Sequence, residues 1–144
     1  MGERVEVGPL VYIVQDAEWR DRLGEGAQAR MPQHRFLQVR LTVTNSGIRD
    51  THVPPLTLLA SDGRSYGELD RGDGVPDWLG YLRTLRPAAT EHGRVLFDAP
   101  AGAYRLRLPA PGENDEESFA LVELPFQLTP TVQLPLTTPG LPSQ

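Results

Sequence analysis

The sequence contains no cysteine and no lysine, and these two absences exclude several kinds of chemistry. Without cysteine the chain has no disulfide bond, no thiol nucleophile and no thiolate metal ligand. All fourteen basic residues are therefore arginine, so Schiff-base catalysis and the lysine of a phosphate-binding loop are excluded as well. No apolar run approaches the roughly 18 residues that a membrane span needs, so the sequence predicts no transmembrane helix.

The residues that are present fit one folded domain. The chain has 144 residues, of which 39% are hydrophobic and 23% are charged, as is typical of a soluble globular domain. Glycine and proline contribute 14 residues each, which predicts many turns and few long helices. The net charge of −5 argues against nucleic acids and anionic membrane surfaces as partners.

The first residues leave two cellular locations open. Met1 is followed directly by Gly2, Glu3 and Arg4, without the apolar segment of a signal peptide. We therefore expect either a cytoplasmic protein or, if a leader has been removed ahead of this sequence, an extracytoplasmic protein of the cell envelope.

The composition changes once along the chain. Residues 1–126 are expected to form the folded domain, whereas residues 127–144 carry no charge and are rich in proline. This pattern predicts an extended C-terminal tail. The alternating apolar residues Val132, Leu134 and Leu136 are also compatible with a short edge strand.

Hydrophobic residues in the domain recur with a period of two. Between positions 36 and 45, Leu37, Val39, Leu41 and Val43 alternate with polar residues, as in a strand that is buried on one face. We count about seven such segments, separated by turn residues, and predict an all-β, immunoglobulin-like antiparallel β-sandwich. One or two short helical turns are expected at 16–23, with Asp16 as the N-cap, and at 76–82. The strand segments are 5–14 (broken at Gly8-Pro9), 36–45, 56–59, 65–66, 93–98, 104–108 and 119–126.

Four acidic residues lie close together in the longest irregular stretch. Glu68, Asp70, Asp73 and Asp77 are separated by glycines, and calcium prefers six to eight oxygen ligands of this kind. The spacing differs from the helix–loop–helix calcium motif, and a solvated turn explains the same residues. No cofactor is required by these residues, and bound calcium is the alternative hypothesis to a solvated turn.

Three aromatic residues, Trp19, Trp78 and Tyr81, lie outside the predicted strands. If exposed, their rings could stack on a sugar or a partner protein. If buried, they would close the ends of the sandwich, which their large apolar area favours.

The sequence shows no catalytic motif. No serine stands in a G-x-S-x-G nucleophile turn, and no glycine-rich loop opens a helix. We therefore expect no enzymatic activity.

The order of the strand motifs resembles a known family. The motifs are RFLQVRLTVTNSG at 35–47, Asp62-Gly63 with Tyr66, GRVLFD at 93–98 and AYRL at 103–106. Together they resemble the immunoglobulin-like family called domain of unknown function 4352. The resemblance implies a mostly bacterial, extracytoplasmic and often lipoprotein-associated protein without shared catalytic residues.

The resulting leading hypothesis is a non-enzymatic interaction module of the bacterial cell envelope. Its partner would be a protein or a second copy of the chain, bound through a sheet edge or the C-terminal tail. The alternatives are a carbohydrate-binding domain that uses the three aromatic residues, a calcium-binding structural domain, and a purely structural spacer.

Overall fold

A computed structural model describes residues 4–24, 29–81, 83–110 and 119–124 of the chain. Ten β-strands and no helix are found within these ranges. The strands are β1 (Arg4–Val7), β2 (Leu10–Arg20), β3 (Arg35–Asn45), β4 (Thr51–Val53), β5 (Thr57–Ala60), β6 (Ser65–Gly67), β7 (Arg83–Leu85), β8 (Thr90–Ala99), β9 (Tyr104–Pro109) and β10 (Phe119–Glu123).

The strands form a β-sandwich, as predicted. One four-stranded sheet has the order β1-β2-β3-β8 and the other has the order β10-β9-β5-β6, while β4 and β7 form a small two-stranded sheet. Every strand pair is antiparallel. The number of strands exceeds the predicted seven partly because β4 and β7, with three residues each, are too short to show a period.

The core lies between the two large sheets and is built by the alternation seen in the sequence. On β3, the inward side chains of Leu37, Val39 and Leu41 are at most 2% exposed. They belong to the same cluster as Leu58 and Leu106 from the opposite sheet. Burial of these apolar side chains from both sheets is what holds the sandwich together.

The predicted helix at 16–23 is wrong, because residues 16–20 continue strand β2. A β-bulge interrupts the pairing with β3 between Val14 and Asp16. Val14 faces the core before the bulge, and Ala17 and Trp19 face it afterwards. The extra residue shifts the alternation by one position, so a uniform period of two fails here.

The predicted helical turn at 76–82 is also wrong for its described residues, 76–81. Pro76 and Asp77 form a turn, and Trp78 makes an isolated parallel bridge with Arg94. Asp77 and Gly80 have positive φ angles of 54° and 94°, which a right-handed helix does not accommodate. Residue 82 lies outside the described residues.

The segment between β6 and β7, which we call the covering loop (residues 68–81), packs on the outside of the β1-β2-β3-β8 sheet. Its Val75 is buried in a second apolar cluster with Phe36 and Leu96, and Trp78 packs against that cluster. The loop also hydrogen-bonds strand β8, for example through the Leu79 amide and the Arg94 carbonyl at 2.9 Å. Because β8 is an edge strand, the loop covers part of an edge that would otherwise invite pairing with another chain.

The predicted C-terminal tail at 127–144 lies outside the described residues. In the part of the chain that the structure describes, no helix is long and apolar enough to cross a membrane.

Candidate binding site at one end of the sandwich

A turn at one end of the sandwich is fixed by the buried side chain of Asn45. This residue ends strand β3 and is 0% exposed. Its Nδ2 donates to the carbonyl oxygens of Arg49 at 2.7 Å and Leu85 at 3.0 Å. Its Oδ1 accepts a hydrogen bond from the Gly47 amide at 2.9 Å. A single amide side chain therefore ties both halves of the turn to strand β7.

The same turn is held against the β1–β2 connection. The Ser46 amide and hydroxyl both donate to the carbonyl oxygen of Pro9, at 2.8 and 2.9 Å. A Cβ atom at Gly47 would lie 3.2 Å from the Pro9 Cβ, so glycine permits this close approach. These contacts hold the turn in place without any help from a ligand.

Ile48 lies in this fixed turn and is 90% exposed. It lines an open cleft with a volume of about 560 Å³, which we call the end cleft. Arg49, Asp50 and His52 place charged or polar groups around the isoleucine. The remaining lining residues are Pro9, Gly47, Thr51 and Thr84.

The cleft combines an apolar side chain with polar and charged neighbours. An apolar side chain surrounded by polar groups is the usual layout of a protein-binding surface.

Three of the four acidic residues predicted as calcium ligands contact arginines. The Glu68 carboxylate is buried and accepts hydrogen bonds from Arg83 at 2.9 and 3.1 Å and from the Leu56 amide at 3.0 Å. Burial raises the pKa of Glu68, and the Arg83 guanidinium opposes that shift. Glu68 thus serves to anchor the covering loop to the sandwich.

The other three carboxylates lie at separate points of the covering loop. Asp73 accepts a hydrogen bond from Arg71 at 2.5 Å, and this contact lowers the pKa of Asp73. Asp77 lies 3.7 Å from Arg94, and Asp70 is exposed. Among the described residues, no group of three or more histidine, aspartate or glutamate side chains could hold a metal ion. The structure therefore does not gather the four carboxylates into one cluster.

The three aromatic residues also occupy separate surroundings. Trp19 is part of strand β2, packs against the main core and has its ring 6.1 Å from that of Tyr104. Trp78 packs against the second cluster on the outer face of the same sheet. Tyr81 is half-buried at the end of the covering loop. Because Trp19 and Trp78 lie on opposite faces of a sheet, they do not form one stacking platform.

Comparison with known proteins places the chain in a family. The family model described as "Domain of unknown function (DUF4352)" matches residues 1–125. The chain belongs to this family. No curated protein is a significant sequence match to this DUF4352 chain.

Solved structures share the fold at low identity. The yjhA protein of Bacillus subtilis superimposes with a TM-score of 0.65 at 18% identity, covering 87% of this chain and 98% of that one. The ycdA protein of Bacillus subtilis, named as a candidate lipoprotein, gives 0.63 at 15% identity, with 86% and 38% covered. The secreted protein MPT63 of Mycobacterium tuberculosis gives 0.57 at 16% identity, with 85% and 92% covered. Identities this low show the common fold alone.

The sequence contained a partial signal for the end cleft of this DUF4352 domain. The residues Asn45-Ser46-Gly47 are typical of a turn, and in the structure the Gly47 amide donates to Asn45 Oδ1. Ile48 was not singled out, because a single apolar residue after a turn is not a strong signal in a sequence. The contribution of Pro9 comes from a contact between distant segments, which the sequence pattern does not reveal.

Proposed function

We propose that this DUF4352 domain is a non-enzymatic interaction module that binds a protein partner at the end cleft. The observation that carries the proposal is the 90% exposed Ile48 in a turn fixed by the buried Asn45. Exposing an isoleucine to water gives no benefit to folding. Because the turn that carries Ile48 is already fixed, its backbone loses little freedom on binding, which favours affinity.

The surroundings of Ile48 favour a polypeptide as the partner. Apolar contact at the centre would supply the binding energy, and Arg49, Asp50 and His52 would select the partner through charge and hydrogen bonding. The partner is therefore expected to offer an apolar pocket with charged residues at its margin.

We further propose that the domain acts in the bacterial cell envelope. Support comes from two proteins of the same fold, one named as a candidate lipoprotein and one as a secreted protein. Fractionation of cells that produce the full-length protein, with detection in the envelope or in the cytoplasm, decides this point.

Site-directed photo-cross-linking tests the proposed cleft. A photoreactive amino acid is placed at Ile48 in the native host, and a matched variant carries it at Arg64. Arg64 is also exposed but lies at the β5–β6 hairpin. We expect discrete protein adducts from position 48 and none from position 64. An adduct of twice the chain mass would identify self-association as the mode of binding. No adduct from position 48, or the same adducts from both positions, would refute the proposal.

A further inference from the structure

A second cleft lies far from Ile48, on the outer face of the β1-β2-β3-β8 sheet. It has a volume of about 380 Å³ and is bounded by the end of β2 on one side and the covering loop on the other. Its volume is within the range of sites that hold small ligands. The lining residues are Arg20, Arg22, Leu23, Gly24, Gln38, Gly74 and Pro76.

The most informative residue in this cleft is Gln38. It belongs to strand β3 and is only 3% exposed, yet its side chain lines the cleft. Within the part of the chain that the structure describes, no group hydrogen-bonds the Gln38 side-chain amide. Among the described residues, the fully buried side-chain atoms without a hydrogen-bond partner belong to Arg35, Trp78 and Arg83 and not to Gln38, so the Gln38 amide reaches the open cleft. The amide is therefore accessible to a ligand in the cleft, both as a donor and as an acceptor.

Two arginines flank this amide. One nitrogen of the Arg20 guanidinium lies 3.2 Å from the Glu18 carboxylate. The other guanidinium donors of Arg20 are available to a ligand. Arg22 has no ion pair with any residue in the described ranges. The cleft therefore combines guanidinium groups at its margin with an amide that both donates and accepts hydrogen bonds.

From this combination we infer that the cleft binds the carboxyl-terminal end of a polypeptide. The guanidinium groups of Arg20 and Arg22 match the geometry and charge of a carboxylate. The Gln38 amide matches the adjoining peptide group, which also carries one donor and one acceptor. An inorganic phosphate would also satisfy the arginines, but it lacks the planar donor–acceptor pair of a peptide group.

This site is independent of the end cleft that carries the proposed function. Leu10 pairs with Asn45 at one end of β2, and Arg20 pairs with Phe36 at the other. Ten residues of strand separate the two positions by about 33 Å. Loss of binding at one cleft would therefore leave the other cleft in place.

Nuclear magnetic resonance titration of the ¹⁵N-labelled chain tests the inference. The probes are N-acetyl-Ala-Ala with a free carboxylate, the same peptide with an amidated C-terminus, and inorganic phosphate. We expect the free acid to shift the Gln38 side-chain amide signals in a saturable manner and the amidated peptide to leave them unchanged. Substitution Arg22→Gln should weaken binding of the free acid by about tenfold or more. The control Arg64→Gln, on the other sheet, should have no effect.

Three results would contradict the inferred peptide site. Equal shifts with the free and amidated peptides would show that the carboxylate is not recognised. Tighter binding of inorganic phosphate than of the free acid would replace the peptide assignment with a phosphate site. An unchanged Gln38 signal at millimolar free acid would remove the inference. Because Arg22 is exposed, Arg22→Gln is expected to fold, and its spectrum verifies this before titration.

Discussion

The Arg83 guanidinium holds the Glu68 carboxylate through two hydrogen bonds of 2.9 and 3.1 Å. Both side chains are withdrawn from solvent, with exposures of 7% for Arg83 and 0% for Glu68. Glu68 follows strand β6 and Arg83 opens strand β7, so the pair joins the two ends of the covering loop. Arg83 also donates to the Gly80 carbonyl. This buried ion pair anchors both ends of the long irregular segment to the sandwich.

Removing the guanidinium should destabilise the domain strongly. In Arg83→Met the Glu68 carboxylate stays buried without its counter-charge, which is expected to lower the free energy of unfolding by about 3–5 kcal/mol. Urea denaturation of the purified chain measures this. The matched control is Arg64→Met, which breaks an exposed ion pair with Asp62 and should change the free energy by less than about 0.5 kcal/mol. Similar effects of the two substitutions would contradict a structural role for the buried pair.

The cost of Arg83→Met should depend on pH. Burial raises the pKa of Glu68 and Arg83 opposes that rise, so the pKa should increase further once Arg83 is gone. A carboxyl group whose pKa is raised by folding stabilises the protein below its unfolded pKa, and this contribution is lost as pH rises through the folded pKa. The substitution should therefore cost less at pH 5 than at pH 8. Adding Glu68→Gln should remove the difference between the two pH values, whereas persistence of the difference would assign it to another group.

The sandwich could be predicted because its strands follow simple alternation. The segment at 36–45 placed Leu37, Val39 and Leu41 in the core, as the structure confirms. The prediction failed where the backbone departs from that regularity. The bulge between Val14 and Asp16 breaks the alternation, and the residues that follow it then resembled an amphipathic helix.

The candidate sites were harder to predict because they depend on contacts between distant segments. Glu68 looked like one member of an acidic loop, and its pairing with Arg83, 15 positions further along the chain, depends on the path of the segment between them. Gln38 looked like an ordinary polar residue on an exposed face. Its burial depends on the covering loop, which no local pattern places there.

The packing of the covering loop can be tested at Gly72. A Cβ atom at Gly72 would lie 1.9 Å from Cδ2 of Trp78, so Gly72→Ala must displace the indole or the loop. We expect a loss of about 1–3 kcal/mol in the free energy of unfolding and a shift in tryptophan emission. Gly67→Ala is the control, because nothing lies within 4 Å of its Cβ position. An unaltered stability of Gly72→Ala would mean that Trp78 does not pack as described.

The calcium hypothesis leads to a simple expectation. Glu68 is engaged by Arg83 and Asp73 by Arg71, so calcium would have to break these contacts before it could bind. We expect millimolar calcium and an excess of chelator to give the same melting temperature, since only a ligand that binds the native state raises it. An increase with calcium that is lost in Asp70→Asn or Asp73→Asn would restore the acidic loop as a metal site.

Substitutions at Asn45 and Ile48 should show that the first residue is needed for stability of the end cleft and the second is not. Asn45→Ala removes three hydrogen bonds of a fully buried side chain, and leaves the carbonyl groups of Arg49 and Leu85 without that donor. This substitution is expected to cost about 2–4 kcal/mol. Ile48→Asp changes a 90% exposed side chain and should alter the free energy of unfolding by less than about 0.5 kcal/mol.

Substitutions of Ile48 should change partner binding without unfolding the domain. With the photoreactive group at the neighbouring Arg49, Ile48→Asp should abolish the adducts although the domain is fully folded, because a carboxylate cannot enter an apolar pocket without a large loss of hydration. Ile48→Val, which keeps the apolar character, should retain them. Adducts that survive Ile48→Asp would show that the isoleucine does not contribute to binding. A large destabilisation by the same substitution would show instead that Ile48 is needed for folding.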